Sequence, residues 1–297
     1  MSSNILQNVK LAPYTSWVIG GLAEHFALPT NYDELRELLK WATAHHQPVT
    51  ILGGGSNVLI SDHGVKGLTI CFKKFSSLRS EIKDGRLYIK CLAGTGKSDL
   101  LKLFLKHQLP PALFMAGLPG DVGGGIVMNA GVAEMYKPRE FMEIVDSIEV
   151  MTAAGDVLEI KKENLTVKYR HTEGWRPHIV VGANISCQML QDHDVLAKVR
   201  EANKVRSSKQ PLDKPSCGSV FKNPEGLKAA QLIDQCGLKG FQIGQAQVSL
   251  KHANFIVNLG EATAHDTWEL ILHVQQAVKV KCGVQITTEV VRLGEWN

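Results

Sequence analysis

In "YDELRELLKWATAHHQ" the buried-type positions fall at Leu35, Leu38, Leu39 and Ala42, the three-four spacing of one helix face. "PVTIL" follows and reads as a buried strand. "GGGSN" then reads as a tight loop and "VLI" as a second short strand, with "GLTICF" and "RLYIKCL" as further strands. "SDLLKLFLKHQL" returns to helical spacing, with Ser98 or Asp99 near its N-cap. "IVDSIEVM" and "DVLEI" flank "TAAG" as a hairpin, and "IVVGANISCQML" is another strand. "DHDVLAKVREANKVRSSK" reads as a helix that breaks at Gln210-Pro211, where a domain boundary is expected. Beyond it come a helix in "GLKAAQLIDQCG", a strand in "NFIVNLG", a long helix in "TAHDTWELILHVQQAVKVKCG" and a final strand in "VQITTEVVRLG". Helices and strands mix without strict alternation, so the expected fold class is α+β.

Composition narrows the picture. With 297 residues and 44% apolar content the chain can bury a substantial core across two or three subdomains. No apolar run is long enough to span a bilayer, and the first residues lack the basic and apolar regions of a signal peptide. The six cysteines are scattered without a CxxC pair, which argues against a zinc ribbon or a disulfide framework and for reduced thiols in the cytoplasm. No metal site is expected. A net charge of +4 without a Lys/Arg block disfavours nucleic acid and suits small anionic ligands.

Four stretches carry candidate chemistry. "GGGSN", Gly53 to Asn57, offers successive main-chain amides in a turn that a ligand can approach closely, an anion-binding nest. The plain alternative is a hairpin turn; a Rossmann fingerprint fails because Val58 stands where its last glycine belongs. "CLAGTGKS" ends like a phosphate-binding loop, but Cys91 replaces its first glycine, so a Gly-Thr-Gly turn before a helix is the better reading. "GLPGDVGGGIVMNAG", Gly117 to Gly131, holds too many glycines for an ordinary loop and reads as a second wall against something flat or anionic. "PSCGSVFKNP" holds Ser219, either a turn residue or a hydroxyl with a chemical task. Two further candidates are Arg170, whose fork suits a carboxylate or enolate oxygen, and Glu289, which as a lone strand glutamate would normally face water.

Taken in order, "YTSWVIGGLAEHFALP", "ILGGGSNVLISDHGVKGLTI", "GLPGDVGGGIVMNAG", Tyr169-Arg170, "QPLDKPSCGSVFKNP", "LIDQCGLKGFQIGQAQVSLKHANFIVN" and "TEVVRLG" resemble the bacterial UDP-N-acetylenolpyruvoylglucosamine reductases over nearly the whole chain. The resemblance implies a two-subdomain FAD-binding fold of the vanillyl-alcohol oxidase type plus a C-terminal α+β substrate domain. The corresponding boundaries are 1–70 with the tail 291–297, 71–207, and 208–290. It implies the shorter of the family's two types, expected as a cytoplasmic monomer. FAD would be held by Gly53, Gly54, Gly55, Ser56, Asn57 and Leu59, and by Gly117, Pro119, Gly120, Asp121, Gly123, Gly124, Asn129 and Gly131. Ser56 stands where some relatives in the wider fold carry a histidine linked to the flavin, so the FAD is expected to be non-covalent.

The resemblance also implies the reaction: NADPH reduces FAD, and reduced FAD reduces the enolpyruvyl group of UDP-N-acetylglucosamine enolpyruvate to UDP-N-acetylmuramate for peptidoglycan. Ser219 would give the proton, Arg170 would hold the carboxylate, and Glu289 would assist in a protonated or proton-sharing form. Tyr169, Lys209 and Asn223 would line the substrate. The chain departs from the family pattern at "VAEMY" after Gly131, at Thr172 where serine is frequent, and at "EVVR". The last moves Arg292 one step along the strand and to its other face, so no cofactor role is assigned to it. Competing readings are another FAD oxidoreductase of the same fold and a non-redox nucleotide-binding protein using "GTGKS".

Overall fold

The structure is a computed structural model that describes residues 5–132 and 138–296. The departure at Ala133–Tyr136 lies outside the described residues. Along the chain come β1 (Leu6–Lys10), β2 (Leu22–Ala27), α1 (Tyr32–Ala44), β3 (Val49–Leu52), β4 (Val58–Ile60) and β5 (Val65–Cys71). Next are β6 (Leu78–Lys83), β7 (Arg86–Leu92), α2 (Lys97–Lys106), α3 (Pro111–Met115) and α4 (Val122–Val127). Strands β8 (Val145–Met151), β9 (Val157–Lys161), β10 (Thr166–Lys168), β11 (His171–Glu173) and β12 (Ile179–Gln188) precede α5 (Val195–Lys209). The chain continues with α6 (Ala229–Gln235), β13 (Gln242–Ile243), β14 (Ala246–Val248), β15 (Ile256–Asn258), α7 (Ala264–Cys282) and β16 (Val291–Leu293). The mixture is α+β, as the pattern predicts.

The chain divides into two compact units: Met1–Leu6, Phe26–Gly54 and Gly67–Val205 in one, and Gln7–His25, Gly55–Lys66 and Arg206–Asn297 in the other. The first unit holds an antiparallel sheet of order β6-β7-β12-β8-β9. Its central strand β12 pairs with β7 on one side and β8 on the other. Leu100 and Phe104 of α2 pack on this sheet with Phe114, Phe141, Ile89, Ile148 and Ile185. The predicted face of α1, Leu35, Leu38, Leu39 and Ala42, is buried in a second cluster with Leu68, Ile70, Phe72 and Phe75. Helix α1 starts at Asn31, whose side chain accepts from the Glu34 amide.

The second unit contains the antiparallel run β13-β14-β15 and the parallel pair β4-β16. Helix α7 opens with a capping box of Thr263 and Asp266 and closes at Gly283 with φ +70°. Its Leu270, Ile271, Val274 and Val278 pack with Trp17, Leu59, Val220, Phe221 and Ile256. The Trp17 indole N–H donates to the Ile256 carbonyl at 2.7 Å.

Three expectations change. The last strand is shorter than its apolar alternation suggests, and Glu289 precedes it. Helix α2 starts from Gly96 without a side-chain cap, so neither Ser98 nor Asp99 is its N-cap. The second glycine-rich stretch contains a helix, α4. The cluster on β12 gives a direct check by urea denaturation. Phe104→Ala should lower stability by about 3–5 kcal/mol, whereas Leu158→Ala, at a side chain 46% exposed on β9, should stay within about 0.5 kcal/mol.

Candidate active site

In the first unit the two glycine-rich stretches meet at one carboxylate. The chain leaves β3 through Gly53 and Gly54. A side-chain carbon on Gly54 would stand 2.9 Å from Gly120 Cα, and one on Gly53 would stand 2.6 Å from an Asp121 carboxylate oxygen. At Gly54 backbone therefore packs on backbone, and at Gly53 it packs on the carboxylate, approaches that glycine allows. Asp121 is 5% exposed. Its carboxylate accepts from the Gly54 amide and, at 2.8 Å, from the Gly124 amide. The second bond caps α4, whose three glycines disfavour a helix by about 1 kcal/mol each. Burial is the largest influence on the Asp121 carboxyl and pushes it above the usual carboxylate range. The Gly124 amide, the Lys97 charge and the Gly54 amide draw it back.

The amides at the start of α4 are engaged inside the protein. Val122 N–H donates to Thr95 O at 2.9 Å and Gly123 N–H to Ala93 O at 2.7 Å. What this unit offers to a ligand is thus not the helix end. It is bare main chain, with Gly54, Gly117 and Gly124 exposed and Gly120 half-buried.

Tyr169 and Arg170 form the two-residue turn of the β10-β11 hairpin, in which Lys168 faces His171. Arg170 has φ +55°, a conformation that side chains other than glycine's reach at a cost of about 1–3 kcal/mol. Its Nη2 donates to Gly131 O at 2.9 Å, its Nη1 lies 3.9 Å from Glu140 Oε1, and its Cζ sits 4.8 Å from the Tyr169 ring centroid. Asn129 organises this corner. Fully buried, it donates from Nδ2 to Glu140 Oε2 at 2.7 Å and to Lys168 O at 3.1 Å, and accepts at Oδ1 from the Met142 amide at 3.2 Å. Thr172 is buried and donates to Ile126 O at 2.7 Å, which ties the hairpin to α4.

The second unit brings Asn57, Ser219 and Glu289 together. Glu289 N–H donates to Val220 O at 2.8 Å and Lys222 N–H to Thr287 O at 2.9 Å, so the segment after Ser219 lies beside the segment before β16. Asn254 holds the other side. Its carbonyl accepts from Val220 N–H, its Oδ1 accepts from Phe221 N–H, and its Nδ2 donates to Phe221 O, each at 2.9 Å. Asn57 donates from Nδ2 to Glu289 O at 3.0 Å and accepts at its carbonyl from Val291 N–H at 3.1 Å. Ser219 and Glu289 are half-buried, and Ser219 follows Gly218 at φ +82°. The neighbouring Cys217 thiol is pushed well above its usual range, by burial first and by the Glu289 charge second.

Other candidates divide. Leu59 is wholly buried in the core of the second unit, and its strand pairs with β16. Asn223 is exposed and accepts from Ala229 N–H at 3.0 Å, at the start of α6. Lys209 ends α5 and is exposed. An open cleft of about 520 Å³ is lined by residues that follow it, Pro211 and Lys214 among them, and by Gln247, Ser249 and Lys251. Ser56 is half-buried, and Pro119 accepts at its carbonyl from Lys97 Nζ at 2.9 Å. Gly55, at φ +66°, leaves no room for a side-chain carbon beside the Tyr14 carbonyl. Arg292 lies over the Trp268 ring at 4.0 Å and 5.2 Å from the Trp296 centroid. Sequence reasoning missed Asn254, Glu140 and Lys97; a polar residue inside an apolar run, as Asn254 is in "HANFIVN", was the available signal for the first. Among the described residues no cluster of three His, Cys, Asp or Glu is placed to hold a metal ion.

Residues 23–161 match the model of an FAD binding domain, which makes the chain a flavoprotein of mixed α+β fold. Residues 210–293 match the model described as UDP-N-acetylenolpyruvoylglucosamine reductase, C-terminal domain. A UDP-N-acetylenolpyruvoylglucosamine reductase of Synechococcus sp. (strain CC9605) is 40% identical over 96% of this chain and 94% of its own length. One of Listeria innocua serovar 6a is 38% identical over 97% and 94%. The crystal structure of UDP-N-acetylenolpyruvylglucosamine reductase from Thermus caldophilus superposes with a TM-score of 0.78 at 30% identity, covering 96% of this chain and 97% of that one. The chain belongs to the UDP-N-acetylenolpyruvoylglucosamine reductase family.

Two stability measurements test the geometry. Asn254→Ala leaves the buried Phe221 N–H and C=O without partners, at about 1–3 kcal/mol per orphaned group. A drop of about 2–4 kcal/mol in urea unfolding is expected; one under about 0.5 kcal/mol would remove Asn254 as the clamp. In thermal unfolding Arg170→Gly should be more stable than Arg170→Ala by about 1 kcal/mol, because glycine alone is unstrained at this φ.

Proposed function

We propose that this chain reduces the enolpyruvyl group of UDP-N-acetylglucosamine enolpyruvate to UDP-N-acetylmuramate, with non-covalent FAD as cofactor and NADPH as reductant, in peptidoglycan synthesis. Family membership over nearly the whole chain supports the reaction class. The observation that carries the residue roles is the strip holding Ser219 beside Glu289, fastened by Asn57 and Asn254.

The residues present suit FAD. The turn at Gly53–Asn57 and the stretch around Gly120 and Gly124 expose main chain rather than side chains, and the space a Cβ would take at Gly54 is already filled by Gly120. In the proposal the amides of the 53–57 turn other than that of Gly54, which donates to Asp121, hold the diphosphate, and the bare glycine surface lets a flat ring approach. Asp121, whose carboxylate accepts from Gly54 and Gly124, and Asn129, bonded to Glu140, Lys168 and Met142, position these loops rather than touch the cofactor. Ser56 has no ring nitrogen to bond covalently. When bound, FAD takes the reducing equivalents of NADPH and delivers them to the methylene carbon of the enol ether.

The protein's own residues manage charge and proton. Arg170 holds the substrate carboxylate, into which negative charge spreads from the α-carbon. Glu140 stands beside the guanidinium and helps to orient it. Ser219 gives its hydroxyl proton to the α-carbon. A serine hydroxyl is a weak acid, and only a centre as basic as this one takes its proton. Glu289, half-buried beside this strip, shares a proton with the developing enolate, a task that requires its acid form. Tyr169, Lys209 and Asn223 line the sugar nucleotide, with Lys209 near its diphosphate. Six free cysteines suit a reducing cytoplasm. No helix among the described residues is long and apolar enough to cross a membrane.

The test is stopped-flow absorbance of the flavin. Wild-type protein should be reduced by NADPH and reoxidised by the enolpyruvyl sugar nucleotide. Ser219→Ala should be reduced at a rate near wild type and reoxidised about a hundred- to ten-thousand-fold more slowly, with Ser219→Cys faster than Ser219→Ala. Reoxidation of Ser219→Ala within about threefold of wild type would return Ser219 to a turn residue.

A further inference from the structure

The "GTGKS" stretch has no part in the reaction as proposed, yet its lysine is one of the few buried charges among the described residues. Lys97 is the first residue of α2 and is 4% exposed. Its Nζ donates to Pro119 O at 2.9 Å and its amide to Gly120 O at 3.1 Å. Its stem lies against α4, where a side-chain carbon on Gly125 would stand 2.9 Å from Lys97 Cε. The preceding Gly96 forms a bridge with Asp121. One short segment thus grips the 119–121 stretch from beneath and abuts the helix that follows it.

A buried ammonium group is costly unless an opposite charge answers it. The Asp121 carboxyl is equally buried, and the Lys97 charge is one of the influences that favour its ionised form against that burial. The same carboxylate accepts from Gly54 and Gly124, which belong to the two exposed glycine surfaces. We propose that Lys97 is a positioning residue of the cofactor site, which together with Asp121 holds the bare main chain at Gly54, Gly120 and Gly124 in the arrangement that receives FAD. It acts through the loops and does not touch the cofactor. This rests on the reading of those loops as the FAD site.

The experiment measures FAD release from purified full-length holoenzyme on dilution, by flavin fluorescence, at a temperature where circular dichroism shows each variant folded. Lys97→Met removes a charge that favours the ionised form of Asp121, and Asp121→Asn removes a buried carboxylate that acts on Lys97. Each should raise the FAD dissociation constant at least tenfold, to order of magnitude. In the double variant the interaction between the two is lost only once, so its loss should fall short of the product of the single losses by about tenfold. An additive role would move thermal stability and FAD affinity independently and show no such coupling. Wild-type affinity in Lys97→Met, or single losses that multiply in the double variant, would overturn the inference. If Lys97→Met does not fold, a double variant that folds and keeps FAD supports the coupling. A double variant that also fails, while Asp121→Asn folds and binds FAD normally, overturns it. Wild-type protein that carries no FAD would overturn the site reading itself; wild-type protein with FAD beside an unaffected Lys97→Met overturns only this proposal.

Discussion

A carboxylate with almost no access to water must be met by donors, and the arrangement around Asp121 follows from that constraint. Its oxygens take the amide of Gly54 from one glycine-rich stretch and the amide of Gly124 from the other. Side chains at 53 or 54 would block the approach. The glycines therefore have an internal reason to be there, independent of any ligand. Their consequence for a ligand is a surface of exposed main chain beside the buried charge. The same carboxylate stabilises α4, a helix that its own composition would not sustain.

The second unit uses the same device with amides in place of a carboxylate. Asn254 faces both main-chain groups of Phe221, and Asn57 holds the main chain of Glu289. The Ser219 segment is thus fixed from two directions while the serine itself keeps a half-buried position. Proton delivery requires a short, fixed distance, since effective molarity falls steeply when the donor wanders. A hydroxyl on a strip clamped by two asparagines suits that requirement better than one on an unsupported turn. On the Arg170 side a residue accepts an unfavourable φ so that its guanidinium meets Gly131 and Glu140, and such outliers tend to mark functional positions.

Elements with strong periodicity were legible from the sequence. The faces of α1 and α2 and the hairpin of β8 and β9 follow directly from apolar spacing, because burial on one face is what those elements exist to achieve. Helix α4 was not legible, since three consecutive glycines argue against a helix and only the distant Thr95, Ala93 and Gly54 partners reveal why it forms. The turn at Tyr169-Arg170 lacks the glycine or asparagine that announces a turn. The β16 strand was overextended because Ile286 and Val290 are apolar for a different reason: they enter the helical core of the second unit. Among site residues, the two glycine-rich stretches and Ser219 could be singled out by composition and resemblance. Lys97 acts through partners on the 119–121 stretch, and nothing local marks it as buried, while Asn254 is signalled only by standing as a polar residue inside an apolar run.

The central claim is that the loops joined by Asp121 form the seat of the cofactor. A crystal structure of the holoenzyme tests it most directly. The account predicts FAD density with the diphosphate against the amides of the Gly53–Asn57 turn and the flavin ring along the glycines between Gly117 and Gly124. A diphosphate bound away from that turn, or a flavin with side chains rather than glycine main chain beneath it, would contradict the account.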